Sequence, residues 1–412
     1  MALYSSGVNV TEIIEPVIDS KNDRVEFKIP SGVVTNNLRL ANIGVFGNAN
    51  NTYNKSVGSL GQIENIYLYD GRTELDAQRS YNKCKSFKNL LQNNSSNGEI
   101  ERLIQGHEIG YSNCYDATSI EKTRVKNLVN TALDTSDASA SPNRGLLDLR
   151  KVFNLLQQLP ALDSNIFKDL RVVIEYSSSL MNVVQVNNQL AGVQSCRPLL
   201  IVDRIVDQST QQALRSQIQN TSFISYEYDR VLLPAVANND TSSVQRKLLG
   251  FNGKKVNRLR LAKEFNNDAS NINGNTSVAF GNFNSHNVNG FKVQYRVNGR
   301  SVLPRDGITG SNRRLAMTVD TMGDLNIYPD AVQPLVKVGF AGNLGDDFRG
   351  KQDYDAIFVN EKITDLQINL DRSGTTDTTT PSANQDEMRI LVEAEVEKAL
   401  MIGNGSYRVM YV

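Results

Sequence analysis

FKVQYRV at 291–297, Asn298-Gly299, and RSVL at 300–303 form the stretch on which the fold turns. Val293, Tyr295 and Val297 fall on one side of an extended chain and Lys292, Gln294 and Arg296 on the other, the period of two of a half-buried strand. Asn-Gly is the pair favoured by a two-residue type I′ turn, because both of its positions need positive φ. The stretch therefore predicts a β-hairpin. Asn404-Gly405, ahead of a final strand over 407–412, predicts a second.

Working outward, short alternating or apolar runs recur along the whole chain. In the first half they are Val25 to Ile29, Leu38 to Val45, Gln62 to Tyr69, Leu170 to Tyr176 and Leu199 to Val206. In the second they are Phe223 to Leu233, Val256 to Ala262, Phe291 to Val297, Pro334 to Val338, Asp355 to Asn360, Leu366 to Leu370 and Met388 to Val396. Each is of strand length and bounded by turn formers, the pattern of sandwiches and barrels. No helix alternates regularly with them, which argues against a parallel α/β sheet. With 412 residues the chain fits two domains of about 200 residues, each able to bury its own core. A small internal echo points the same way. Asp169-Leu170-Arg171-Val172-Val173-Ile174 and Asp365-Leu366-Gln367-Ile368-Asn369-Leu370 share one pattern at comparable places in the two halves, though six residues of β pattern can match by chance.

Helical pattern fills the gaps. Thr73 with Asp76 could start a helix whose stripe is Ala77, Tyr81, Cys84 and Leu91, and Ser119 could cap a second with Val125, Leu128, Val129, Ala132 and Leu133. A shorter polar helix over 210–219 separates the halves. Residues 134–143 are a Ser/Ala/Asp loop and 371–386 a Thr/Ser-rich one, and 266–289 is an Asn/Gly/Ser-dense stretch in which Phe280 and Phe283 suggest that it packs on something. Residues 1–24 read as an arm, with Ile13, Ile14, Val17 and Ile18 as its apolar group.

Forty-four Lys and Arg balance forty-four Asp and Glu, so the formal charge is zero. No long basic block marks either terminus, so direct nucleic-acid binding is not expected. Cys84, Cys114 and Cys196 are scattered, odd in number and outside any metal-ligand spacing, as for reduced thiols. MALYSSGVNVTEII lacks the basic and apolar regions of a secretory signal, and no apolar stretch reaches the ~18 residues of a membrane span.

The inventory for catalysis is thin. The two histidines, His107 and His286, lie far apart in loop-like sequence and read as surface groups. Glycine-rich phosphate loops, nucleophile elbows and zinc motifs are absent; GFNGKK at 250–255 has the wrong spacing and reads as a turn. Glu393, Glu395 and Glu397 alternate with Val392, Ala394 and Val396, which puts three acids on one strand face. A glycosidase-like cluster would need such acids, but the outer face of a sandwich has the same pattern. Asp346-Asp347 reads as a loop pair and Arg305, Arg313 and Arg314 as a solvated rim. The expectation is no catalytic, cofactor-binding or metal-ligating residue, hence no enzyme and no cofactor, with function residing in surfaces.

Several segments resemble a known family. GLLDLRKVFNLLQQL and NIFKDLRVVIEY within 145–176, LLGFNGKKVNRLRL at 248–261 and YRVNGRSVLPRDGITGSNRRLAMTVDTMGDLNI at 295–327 resemble the double jelly-roll major capsid proteins of virophages, polinton-like viruses and similar small double-stranded DNA viruses, with adenovirus hexon more distant. The resemblance implies a mainly β chain of two tandem eight-stranded jelly rolls with short helical insertions. Its expected parts are an arm at 1–24, a first roll at 25–209 with a helical insertion near 74–133, a connecting helix at 210–219 and a second roll at 220–412. It also implies a structural capsid subunit forming homotrimeric, pseudo-hexameric capsomers of an icosahedral virion, assembled in host cytoplasm or nucleus and not secreted. Its partners would be copies of itself, neighbouring capsomers, and penton and minor capsid proteins. A second reading is a carbohydrate-binding or carbohydrate-cleaving β-sandwich, against which the absence of tryptophan counts. A third follows from SGVNVTEI, which resembles the start of contractile-tail sheath proteins; nothing downstream supports it.

Overall fold

Alternation buries one face of each strand, and the buried faces meet in two sandwiches. The computed structural model describes residues 2–5, 7–20, 23–46, 52–53, 58–82, 84–85, 145–177, 184–185, 194–233, 243–265, 292–302, 321, 354–371, 388–403 and 406–412. The expected helix capped by Ser119, the strand over 334–338, the Asn404-Gly405 turn and the polar loops at 134–143 and 266–289 lie outside these residues, as does all of the 371–386 loop except Asp371.

The first unit contains β1 (Ala2–Ser5), β2 (Asn9–Ile14), β3 (Ile18–Ser20), β4 (Arg24–Lys28), β5 (Val34–Ala41), β6 (Val45–Phe46), β7 (Thr52–Tyr53), β8 (Ile63–Asp70), β9 (Thr73–Gln78), β10 (Leu146–Asp148), β11 (Leu162–Asp163), β12 (Leu170–Tyr176), β13 (Val184–Gln185), β14 (Gln194–Ser195) and β15 (Leu199–Ile205). The second contains β16 (Thr221–Leu233), β17 (Ser243–Lys247), β18 (Lys255–Phe265), β19 (Lys292–Val297), β20 (Arg300–Ser301), β21 (Tyr354–Lys362), β22 (Leu366–Asp371), β23 (Met388–Gly403) and β24 (Ser406–Tyr411). Helix α1 (Asn154–Gln158) lies within the first unit and α2 (Gln208–Gln217) between the two.

Strand order identifies the architecture. In the first unit one sheet runs β2-β15-β5-β10, extended by β1 and β11, and the other runs β4-β12-β8-β9 with β3 at its edge. In the second, one sheet runs β16-β23-β18-β21, extended by β24, and the other runs β17-β22-β19-β20. Taking eight strands from each unit in chain order, the two sets pair in the same order, all antiparallel. This is one jelly-roll topology built twice. The first core gathers Phe27, Leu38, Leu68, Phe153, Phe167 and Val172 among others; the second gathers Phe251, Leu259, Tyr295, Ile357, Ile368 and Val396.

The hairpin and the echo fall where equivalence requires. Val297 pairs with Arg300, while Asn298 and Gly299 hold φ of 51° and 78°. The two echo segments lie at β12 and β22, the same strand of each roll.

Three expectations are corrected. Residues 1–24 are not a free arm: β2 pairs with both β1 and β15, and β3 pairs with β4. The polar run Asn9–Ile14 concealed this, since all six residues stay half-buried and show no alternation. The helix from Thr73 is likewise replaced, because Thr73–Gln78 is β9, paired with β8, and a helical turn begins only at Tyr81. Leu75 and Ala77 are buried there, and strand pairing overrides a local helical period. The linker helix starts two residues earlier than expected because Asp207 accepts from the Thr210 amide at 2.7 Å, a side-chain N-cap.

Candidate functional site

Two places collect charge: the junction between the units and the outer face of the second. At the junction β9 lies beside β16. Asp76 is fully buried, and its carboxylate accepts from the Ala77 amide (2.9 Å), the Leu155 amide (3.1 Å) and the Ser225 hydroxyl (3.1 Å). Burial pushes its pKa up to about 6, against the pull of these hydrogen bonds and of Lys398. Lys398, also buried, lies 3.8 Å from Glu74 of the first unit and 3.7 Å from Glu227 of the second. Glu227 takes hydrogen bonds from Lys254 and from the Tyr411 hydroxyl. Although burial opposes it, those bonds hold the Glu227 carboxyl below its usual range.

Strand β24 completes the junction. Lys254 and Lys398 approach the Tyr411 ring at 4.8 and 5.1 Å, and burial beside Glu227 raises the Tyr411 hydroxyl pKa. Tyr407 donates to Asp70 at 2.7 Å and packs on Phe167. From the first unit, Asn154 donates to the Ile224 carbonyl at 2.7 Å. The halves are therefore joined by buried polar groups that find their partners across the boundary.

On the outer face of the second sandwich, the three alternating glutamates meet bases from β18. Arg260 pairs with Glu393 and lies 3.4 Å from Glu395; Arg258 lies 3.9 Å from Glu395, and Lys255 2.9 Å from Glu397. The Arg260 guanidinium stands over the Tyr226 ring at 4.9 Å. Each carboxylate is thus engaged in an ion pair, an arrangement suited to holding strands together. The first unit carries the equivalent feature: Asp203 of β15 accepts from Thr11, Asn37 and Arg39, each at 2.7 Å.

Sequence reading missed the signal behind this parallel. Asn36-Asn37-Leu38-Arg39-Leu40-Ala41 and Asn257-Arg258-Leu259-Arg260-Leu261-Ala262 occupy the same strand of each roll, and each contains a register shift at its start. Leu38 and Leu259 enter the cores while Arg39 and Arg260 reach equivalent acids.

The other residues considered for chemistry are not brought together. His107, His286, Asp346, Asp347, Arg305, Arg313, Arg314 and Cys114 lie outside the described residues. Cys84 and Cys196 are buried and form no disulfide. Among the described residues no group of three or more His, Cys, Asp or Glu is placed to hold a metal ion, and no helix is long and apolar enough to cross a membrane.

No protein-family model matches the chain, and no curated protein matches it in sequence. Solved structures do match in fold. The PBCV-1 virus capsid protein superposes with a TM-score of 0.57 at 13% identity, covering 100% of this chain and 99% of that one. The mavirus major capsid protein gives 0.57 at 10% identity, covering 99% and 90%. A chain of the Sputnik virophage gives 0.56 at 10% identity, covering 100% and 90%. This chain is a double jelly roll. Its described strands run from Ala2 to Tyr411, and among the described residues the sheets are those of two jelly rolls, not of a sheath protein's mixed α/β core.

Proposed function

We propose that this double jelly roll is the major structural subunit of a viral shell and that it acts as a homotrimer. The observation that carries the reading is the duplication: two rolls of identical strand order, fastened side by side through a buried junction. Three copies would set six equivalent sandwiches around a threefold axis, giving a subunit assembly with a nearly hexagonal outline that can tile a closed surface. The likeness in fold to viral capsid proteins over the whole chain supports this reading. Balanced charge suits a shell that contacts other proteins more than the genome. In this reading the partners are copies of the chain, neighbouring capsomers, and penton and minor capsid proteins, and its location is the virion. It has no enzymatic activity and needs no metal, so chelators should leave the oligomer intact.

The test is the mass of the purified protein by light scattering. A value near three times the chain's 45.7 kDa is expected, with inter-subunit contacts burying well over ~1,000 Å². A monomer at micromolar concentration overturns the proposal.

A further inference from the structure

Between the β16-β23-β18-β21 sheet of the second roll and α1 of the first lies a groove of about 550 Å³ that the shell reading does not use. Its floor is Tyr226, Glu395, Asn257 and Arg258, from three adjacent strands; Asn154, Gln157 and Gln158 of α1 form a wall, and Phe358 and Asn360 of β21 a rim. Three features set it apart from a plain sheet surface. Asn257 is the extra residue of β18 in a bulge against β23, and bulges commonly re-aim side chains at sites. Its amide nitrogen reaches Glu397, while its carbonyl oxygen is buried with no hydrogen-bond partner. Phe358 is 52% exposed, with the Arg258 guanidinium 5.2 Å from its ring centre. Beside it Asn360 adopts φ of 47°, a left-handed conformation uncommon outside glycine.

At the corresponding place in the first roll the acid already holds its donors. There the Asp203 carboxylate takes three donors from Thr11, Asn37 and Arg39. In the second roll Tyr226 stands where the first has Thr11, and the amide oxygen of Asn257, a residue lining the groove, is left without a partner.

We propose that this groove binds a neutral oligosaccharide. An apolar ligand would cover the side-chain amides of Gln158 and Asn360 without giving them partners, whereas those of Asn154 and Gln157 already donate to the Ile224 and Arg150 carbonyls. A phosphate would face the Glu395 carboxylate with Arg258 already stacked and paired. A peptide added as a strand needs an open main-chain edge, whereas the floor is a sheet face on which β18 and β23 are paired on both sides and β16 alone of the three is an edge strand. Sugar hydroxyls donate and accept from one atom, which matches adjoining amide nitrogens and oxygens, and the C–H face of a pyranose fits an exposed aromatic ring. Phe358 and Tyr226 supply here the platform that tryptophan often provides.

The experiment titrates the purified oligomer calorimetrically with lactose, maltotriose, cellotriose and chitotriose, then repeats the series with Phe358→Ala and Asn360→Gly. Glycine keeps the left-handed backbone while removing the amide, so this variant preserves the fold. Saturable binding of at least one probe is expected, weakened about tenfold or more in both variants with unchanged melting temperature. No saturable binding with any probe, or undiminished binding in either variant, overturns the proposal. Oligomer mass is read separately on the same samples, so the outcome is independent of the shell reading.

Discussion

The two rolls share a topology yet solve the same local problems with different residues. At the turn joining the fourth and fifth sandwich strands, the second roll uses Asn298-Gly299 with positive φ at both positions, the type I′ pattern. The first uses Gly71-Arg72 with positive φ at Gly71 alone, the type II′ pattern. Both turns hand an amide to the same backbone acceptor: Gly71 to the Asp169 carbonyl at 2.9 Å and Asn298 to the Asp365 carbonyl at 2.7 Å. Each of those aspartates also holds the side chain two residues on, Arg171 or Gln367. The echo thus encodes a structural clamp, and the hydrogen bonds are retained while the turn chemistry varies.

Burial separates the rolls more sharply. Arg39 is 34% exposed beside Asp203, whereas Arg260 is 3% exposed between Glu393 and Glu395. A surface pair is stabilised weakly because water competes for both charges; a buried one is costly to break because its partner is left uncompensated.

The largest effect should come from deleting residues 1–20. This removes β1 to β3 and exposes the flank of β15, so the chain should lose soluble yield and its cooperative unfolding transition. A folded oligomer after deletion would show that the N-terminal strands are dispensable and restore the arm reading. Next, Arg260→Met should cost about 3–5 kcal/mol in urea denaturation, and the equivalent Arg39→Met about 1 kcal/mol or less. Equal costs would break the comparison between the two faces.

Asp76 tests the junction through pH. Its folded pKa of about 6 lies above the ordinary value of 3.8, so the folded state favours the protonated group. That contribution is fully present below pH 3.8 and is lost as pH rises through about 6. The stability of wild type relative to Asp76→Asn should therefore fall by about 3 kcal/mol across this window. A flat difference would mean that the carboxylate is not desolvated by contact between the rolls. The smallest effect sharpens the turns: Gly299→Val should cost about 1–2 kcal/mol, while Arg72→Val, at the equivalent position without positive φ, should stay within about 0.5 kcal/mol. A cost as large at Arg72 would show that the two turns are not of different type.

Much of the second roll was legible in sequence because its strands are long and alternate. Lys292–Val297, Leu366–Asp371 and Thr221–Leu233 each begin within two residues of the expected run. Asn9–Ile14 and Thr73–Gln78 were not legible, since one lacks alternation and the other carries a helical stripe; both are set by partners elsewhere in the chain. The candidate sites were less legible still. Glu393, Glu395 and Glu397 could be placed on one face, but the bases facing them come from a strand more than a hundred residues earlier.

By itself, the sequence determined the strand-rich class, the division into two halves, the Asn298-Gly299 hairpin and the balanced charge. These depend on side-chain period, turn stereochemistry and composition, all local or additive properties. Only the tertiary structure decided that Thr11 would meet Asp203, that Asp76 would be buried against Ser225 and Leu155, and that the Asn257 oxygen would be left without a partner. Such outcomes depend on which distant strands pair and on how much water the pairing removes, and desolvation is a property of the assembled neighbours, not of the residue.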